Sequence, residues 1–181
     1  NIMGFQTNAQ LSAEQNNEIG FITGIAFAVL NTVGFLLPAF VLEPMAERIG
    51  RVRTHMLCIG TMAVGYTMIV FLGNSSTMLF VLMAVVGIGW AAVVSLPFAI
   101  MSETVNQARM GMFMGLFNLS VVIPQLGASS LGSFIDGQPN KAVIFIISAV
   151  ALGISAVLWL TVKESQKPEA VKSKTVLASG H

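Results

Sequence analysis

The sequence predicts an all-α integral membrane protein with five transmembrane helices. Of its 181 residues, 55% are hydrophobic and only 9% are charged, whereas a typical soluble domain carries about 25% charged residues. The mean hydropathy is +0.80. A small globule cannot bury this much apolar surface, so we expect lipid to cover it.

The candidate spans follow from the thickness of the bilayer. A helix needs roughly 20 mostly apolar residues to cross about 30 Å of hydrocarbon. Helices are expected because lipid offers no partner to open backbone groups, and the short alternating segments of an outer-membrane barrel are lacking in the sequence. The predicted spans are 20–42, 56–72, 78–101, 112–135 and 142–162. Residues 1–19 would then be an exterior loop, 20–162 the helical bundle and 163–181 a cytoplasmic tail.

Glycine pairs within the spans predict close contact between helices, because small residues let membrane helices approach one another. The pairs are Gly60 and Gly65, Gly87 and Gly89, and Gly111 and Gly115.

The basic residues predict the orientation. With five spans, eight of the nine Lys and Arg residues fall on one side, and only Lys141 falls on the other. Because Lys and Arg are enriched in cytoplasmic loops, the N-terminus of the chain is expected outside and its C-terminus inside a plasma or inner membrane. The eight are Arg48, Arg51, Arg53, Arg109, Lys163, Lys167, Lys172 and Lys174.

A polar stripe runs along the fourth span, residues 112–135. At about 100° per residue, Asn118, Gln125 and Ser129 lie within a narrow sector, while Leu119 and Ile123 lie on other faces. Polar side chains inside a membrane usually face protein or water rather than lipid. The stripe therefore predicts either a solute-binding surface or hydrogen bonds to a neighbouring helix.

Two other spans carry comparable residues. Asn31 lies in 20–42 and Trp90 in 78–101, and both spans contain a proline, which permits local bending of a membrane helix. Amides offer donors and acceptors to hydroxyl groups, and an indole ring offers an apolar face to a sugar. A neutral polar solute fits this set better than an ion, which would favour buried carboxylates. We therefore predict substrate binding by Asn31, Trp90, Asn118, Gln125 and Ser129.

The segment EPMAERIGRVRTH, residues 43–55, resembles the loop signature of the major facilitator superfamily in its order of an acid, arginines and a glycine. A glycine permits a tight turn between antiparallel spans. Under this resemblance the loop belongs to a cytoplasmic gate. Its residues would be Glu47, Arg48, Gly50, Arg51 and Arg53, together with Glu103 and Arg109, and Glu103 is expected to pair with Arg109 or with one of the arginines at 48–53.

A second resemblance is narrower. GIGWAAVVSLPFAIMSE (87–103) and GLFNLSVVIPQL (115–126) are similar to the tenth and eleventh helices of sucrose–proton symporters and their bacterial relatives. The resemblance implies that the five spans are helices eight to twelve of a twelve-helix transporter. One further helix and the N-terminal half would precede Asn1, as the absence of an initiator methionine there also suggests. Helices eight, ten and eleven would line the cavity, and nine and twelve would face lipid.

The resemblance implies proton-coupled uptake of a di- or oligosaccharide by alternating access of two bundles around a central site. The coupling carboxylate would lie in the N-terminal half. The expected partners are the sugar, protons, membrane lipid and the missing helices, with no nucleic acid, cofactor or metal. Alternatives are a family member with another substrate or with efflux activity, and a non-transporting membrane sugar sensor. An enzyme is disfavoured because no catalytic cluster stands out, and His55 is interpreted as an interfacial residue.

Overall fold

A computed structural model describes residues 12–140 and 142–164 of the protein. Six α-helices run along this part of the chain: α1 Ala13–Leu37, α2 Glu43–Ile49, α3 Arg51–Leu72, α4 Ser76–Thr104, α5 Met110–Asp136 and α6 Val143–Leu158. Within the described residues, five helical segments are long and apolar enough to cross a membrane. These are Ala13–Ile49, Arg51–Leu72, Ser76–Thr104, Gln107–Ile135 and Val143–Thr161, which confirms the predicted fold class.

Helix α1 begins at Ala13 rather than at residue 20. Ser12 caps it, because its hydroxyl accepts a hydrogen bond from the Gln15 amide at 3.2 Å and the Gln15 side chain accepts one from the Ser12 amide at 2.9 Å. Such a capping box satisfies two amides that a helix start otherwise leaves open. Residues 13–19 of the predicted exterior loop are therefore helical, and residues 1–11 lie outside the described residues.

The predicted loop at residues 43–55 is helical on both sides of Gly50. A π-helical turn, Pro38–Leu42, joins α1 to α2 without a break, since proline lacks an amide hydrogen and locally disturbs the hydrogen-bond ladder. Pro44 lies in the first turn of α2, where proline is tolerated. The prediction of a loop over residues 43–55 was wrong in its extent, because only Gly50 separates α2 from α3.

Gly50 makes the turn between these two helices. It has φ +96° and ψ 153°, a conformation that is essentially restricted to glycine. The Glu164 carboxylate covers the start of α3, where it accepts hydrogen bonds from the amide of Arg51 at 2.6 Å and from that of Val52 at 3.1 Å. A carboxylate is favourable at a helix N-terminus. A Cβ atom on Gly50 would collide with this carboxylate.

Helix α4 lies between α1 and α3, and two glycines allow both contacts. A Cβ on Gly87 would lie 2.9 Å from Cβ of Val33 in α1, and one on Gly89 would lie 2.7 Å from the carbonyl oxygen of Cys58 in α3. Residues two positions apart in a helix point about 200° apart around its axis. Gly87 and Gly89 therefore face opposite neighbours. Both belong to the predicted glycine pairs, and Gly65 likewise meets Val86.

The core follows these contacts. Side chains of α1, α3 and α4 form one buried cluster around Leu30, Met62 and Val86, and a second cluster contains Leu42, Cys58 and Leu96. Helix α6 packs on the other side of α3, where the rings of Tyr66 and Phe145 have centroids 5.8 Å apart. Helix α4 is thus central, and α6 is peripheral.

Helix α5 lies apart from this core. None of its described side chains is buried, and its ring contact with α4 joins Phe117 to Phe98 at a centroid distance of 6.4 Å. A Cβ added to Gly111 or Gly115 would meet nothing within 4 Å, and the same holds for Gly60 of α3. The predicted packing role of these three glycines is therefore not met within the described chain, because no helix covers the faces that carry them.

We predict that Gly89→Ala lowers the free energy of unfolding by about 1–3 kcal/mol, because overpacking forces α3 and α4 apart. Gly60→Ala is the matched control, since it adds the same methyl group where space is open. Cys58 is the single cysteine and is only 3% exposed. A thiol-reactive fluorophore can therefore follow thermal unfolding in detergent, and equal midpoints for the two variants would contradict the predicted contact.

We predict that Gly50→Ala also costs about 1–3 kcal/mol, because alanine is strained at this backbone conformation. Part of the cost comes from displacing the Glu164 carboxylate, so Glu164→Ala should destabilise the Gly50→Ala protein less than the unchanged protein. The same thiol assay on the two single variants and the double variant measures this coupling. Strictly additive costs would show that Gly50 and Glu164 act independently.

Candidate functional site

Asn31, the predicted substrate-binding residue of α1, lies on the exposed side of its helix. Its side-chain amide donates a hydrogen bond to the Phe27 carbonyl in the same helix at 2.8 Å. The amide therefore does not bond to a neighbouring helix. Such a bond was the alternative to solute binding for the polar residues of the spans. One amide hydrogen and the amide oxygen remain for another partner.

Trp90 of α4 lies against α1 at Gly34. A Cβ on Gly34 would lie 2.7 Å from Cδ1 of the indole, so the absence of a side chain there admits the ring. The residue still exposes 37% of its surface. Gly34 is three residues from Asn31, which places both on neighbouring positions of the helix surface. The structure thus brings Asn31 and Trp90 into one region between α1 and α4.

The polar stripe of α5 is exposed over its whole length. Asn118, Gln125 and Ser129 are all exposed, and the Ser129 hydroxyl donates to the Leu126 carbonyl of its own helix at 2.7 Å. Among residues 12–140 and 142–164, the side-chain amides of Asn118 and Gln125 have no hydrogen-bond partner. Hydrogen bonds to a neighbouring helix therefore do not explain the stripe in this part of the chain.

No hydrogen bond or ring contact in the described part of the chain joins the stripe to Asn31 or Trp90. The helices that carry the stripe and Trp90 are joined by a ring contact between Phe117, which precedes Asn118 in α5, and Phe98 of α4. The substrate-binding set therefore divides into a pair on α1 and α4 and a stripe on α5. Its role in binding stays a prediction.

Arg51 connects three elements at the other predicted site. Its Nε lies 3.0 Å from a carboxylate oxygen of Glu103 at the end of α4, and its Nη2 lies 3.3 Å from one of Glu43 in α2. Glu103 thus pairs with an arginine of the segment 48–53, one of the two predicted alternatives. The side chains of these ion pairs are partly exposed, so each pair contributes about 0–1 kcal/mol to the stability of the fold. Their main effect is to position α2 and the end of α4 relative to the start of α3.

Of the remaining residues of the predicted gate, Glu47, Arg48, Arg53 and Arg109 are exposed and Gly50 is partly exposed. In the described part of the chain no ion pair is formed by Glu47, Arg48, Arg53 or Arg109. A cavity of about 150 Å³ adjoins Arg51 and is lined by the carboxylates of Glu43, Glu47, Glu103 and Glu164. Four carboxylates against one guanidinium leave an excess of negative charge, which favours a cationic partner.

Sequence reasoning missed two members of this cluster. Glu43 lies within the quoted segment and is eight residues before Arg51, so its presence beside the arginines was a usable signal. Glu164 is separated from Arg51 by 113 residues, and its only signal was an acid directly after the last span. The fold, rather than a local pattern, brings it to the start of α3.

His55, interpreted as an interfacial residue rather than a ligand, lies buried near the start of α3. It is 3% exposed, its Nδ1 has no hydrogen-bond partner in the described structure, and its ring stands edge-on to Trp159 at a centroid distance of 4.4 Å. The imidazole therefore serves as a packing group between α3 and the end of α6. We assign it no chemical role.

Known proteins resemble the chain in sequence. Residues 3–179 match the Major Facilitator Superfamily. Two curated relatives, the sucrose transport proteins of Oryza sativa subsp. indica and of Oryza sativa subsp. japonica, are each 32% identical over 108 residues. That match covers 56% of this chain and 19% of either relative. No solved structure matches the chain.

The match to the superfamily extends over nearly the whole chain, and within residues 12–140 and 142–164 it is accompanied by five apolar helices long enough to span a membrane. The resemblance inferred from the segments 43–55, 87–103 and 115–126 is thereby confirmed at the level of the family. This chain is a multi-pass membrane protein that belongs to the Major Facilitator Superfamily, a family of transporters rather than enzymes.

Proposed function

We propose that the chain is part of a secondary active transporter that takes up a di- or oligosaccharide together with protons. Its five membrane helices would be helices eight to twelve of a twelve-helix protein, and transport would proceed by alternating access. The N-terminus of the chain would face the outside and its C-terminus the cytoplasm of a plasma or inner membrane. The matched relatives are much longer than this chain. We therefore propose that the remaining seven helices lie in a part of the protein that precedes this chain.

The exposed polar stripe of α5 carries this proposal. Asn118 and Gln125 lie in the middle of an apolar helix and have no partner within residues 12–140 and 142–164. An unsatisfied amide costs roughly 2–7 kcal/mol in an apolar environment, so lipid is a poor neighbour for this face. A water-filled cavity closed by further helices satisfies both amides and leaves them available to a solute.

The chemistry of the stripe favours a neutral, hydroxyl-rich solute. Asn118 and Gln125 each combine a donor with an acceptor, and the described membrane-spanning segments place no carboxylate beside them. Trp90 adds a partly exposed indole next to Asn31. Similarity to two sucrose transport proteins supports a sugar over other neutral solutes.

The cluster around Arg51 supports a gate at the end of the bundle opposite to the loop between α3 and α4. Arg51 holds α2 and the end of α4 together, and the adjoining cavity is lined by four glutamates and a single arginine. Cationic groups of the second bundle could pair with those carboxylates in one state and separate from them in another. Such exchange of ion pairs would link the cluster to opening and closing.

We predict that Asn118→Ala and Gln125→Ala each lower sugar uptake by the complete transporter about tenfold, because each removes a hydrogen bond to substrate. Labelled-sucrose uptake in proteoliposomes with an inward proton gradient measures the effect at matched protein amounts. Ser120→Ala is the control, since this hydroxyl lies off the stripe and donates to the Phe117 carbonyl. Normal uptake by both amide variants would contradict a role of the stripe in sugar binding.

We predict that Arg51→Ala slows turnover severalfold with a smaller effect on substrate affinity, because it loosens the gate without touching the sugar. The maximal rate of uptake and the equilibrium binding of labelled sugar separate the two effects. Arg109→Ala, at a second residue of the predicted gate, should slow turnover less, because Arg109 forms no ion pair within the described part of the chain. A large loss of equilibrium binding with preserved turnover would count against the gate.

A further inference from the structure

A second cavity, the α3–α6 groove, opens between the start of α3 and the end of α6. Its volume is about 480 Å³. The apolar walls include Met56 and Leu57 of α3 and Trp159 and Leu160 beyond α6, and the polar lining consists of Arg53 and Glu164. Leu57 is 49% and Leu160 68% exposed. The groove thus joins an apolar trough to a mouth that carries one guanidinium and one carboxylate.

The two charged groups of the groove are in different situations. The Glu164 carboxylate is already engaged by the amides of Arg51 and Val52, where the helix N-terminus favours its negative charge. Arg53 is exposed and forms no ion pair with any residue among 12–140 and 142–164. Its guanidinium is therefore the group that remains available to a ligand, and its fork of donors suits a phosphate.

The depth of the groove indicates what fills it. By length and composition, the candidate span of α3 begins at Arg51 and that of α6 ends at Thr161, so we place the groove at the level of the membrane interface. Lipid phosphates lie at this depth, and tryptophan is enriched there. Basic pockets between membrane helices at this level bind lipid headgroups.

We propose that the α3–α6 groove binds a membrane phospholipid, with its phosphate on Arg53 and its acyl chain along Leu57, Trp159 and Leu160. A charge-assisted contact between guanidinium and phosphate supplies specificity, and burial of the acyl chain supplies apolar area. The site is separate from the proposed sugar site and does not depend on which solute is transported.

The position of Trp159 in the groove wall provides a direct test. Trp90 and Trp159 are the two tryptophans of the chain, so Trp90→Phe leaves only the groove indole. The purified full chain in detergent is titrated with a phosphatidylglycerol that carries bromine near the top of its acyl chains, which quenches a tryptophan in contact. We expect saturable quenching that unbrominated phosphatidylglycerol reverses and dioleoylglycerol, which lacks phosphate, does not.

Arg53→Gln in this background should raise the half-quenching concentration about tenfold, whereas Arg53→Lys should raise it less and Arg109→Gln should leave it unchanged. Unchanged quenching in Arg53→Gln, or equal competition by dioleoylglycerol, would overturn the proposal and leave the groove to an apolar occupant such as a second copy of the chain. Native mass spectrometry of the chain with both tryptophans gives an independent count. It should find one retained phosphatidylglycerol, which Arg53→Gln loses, and equal retention would likewise overturn the site.

Discussion

The close approach of α4 to both α1 and α3 is the contact on which the rest of the structure depends. Gly87 and Gly89 lie on opposite sides of α4, and each replaces a side chain with direct contact between helices. Lipid tails are as apolar as the helix surfaces, so membrane helices associate through such packing rather than through a hydrophobic driving force. The contact also positions the two candidate sites, because Trp90 follows Gly89 and Glu103 lies in the last turn of the same helix.

The remaining helices show how unevenly the chain is stabilised. Helix α6 is held through α3, whereas α5 meets α4 at a pair of phenylalanines and leaves its polar stripe uncovered. The stripe and the carboxylate-rich cavity beside Arg51 are at separate places, yet both present polar groups that have no partner within residues 12–140 and 142–164, among them Gln125 and Glu47. Under the proposed function both have one explanation, in which further helices complete the bundle, surround the stripe with an aqueous cavity and supply cations to the gate.

The sequence predicted the helices well and their ends less well. Apolar length determined five spans, because crossing the bilayer leaves little choice of segment. The turn at Gly50 was expected from its glycine, but the Ser12 cap and the helical structure on both sides of Gly50 were missed, since each depends on local backbone geometry rather than on hydropathy. The glycines show what composition cannot predict. Gly87 and Gly89 pack against other helices as predicted, whereas Gly111 and Gly115 meet no other helix within the described residues. Composition cannot show which helix faces have a neighbour.

The candidate site was predictable only in part for a similar reason. Helical periodicity aligned Asn118, Gln125 and Ser129, and the structure leaves that stripe exposed as one surface. The proximity of Trp90 to Asn31 depends on the space above Gly34, and the role of Glu164 depends on a contact between distant parts of the chain. Neither can be derived from spacing along one helix.

The central claim is that the stripe of α5 faces an aqueous, sugar-accessible cavity, and accessibility along α5 tests it most directly. Single cysteines would replace Asn118, Gln125 and Ser129 on the stripe, and Leu119, Ile123 and Leu126 off it, in the complete transporter with Cys58 and any cysteines outside this chain replaced by alanine. The account predicts that a water-soluble thiol reagent modifies only the stripe positions and that disaccharide slows the modification. Modification of the off-stripe positions instead, or no protection by disaccharide at any position, would contradict it.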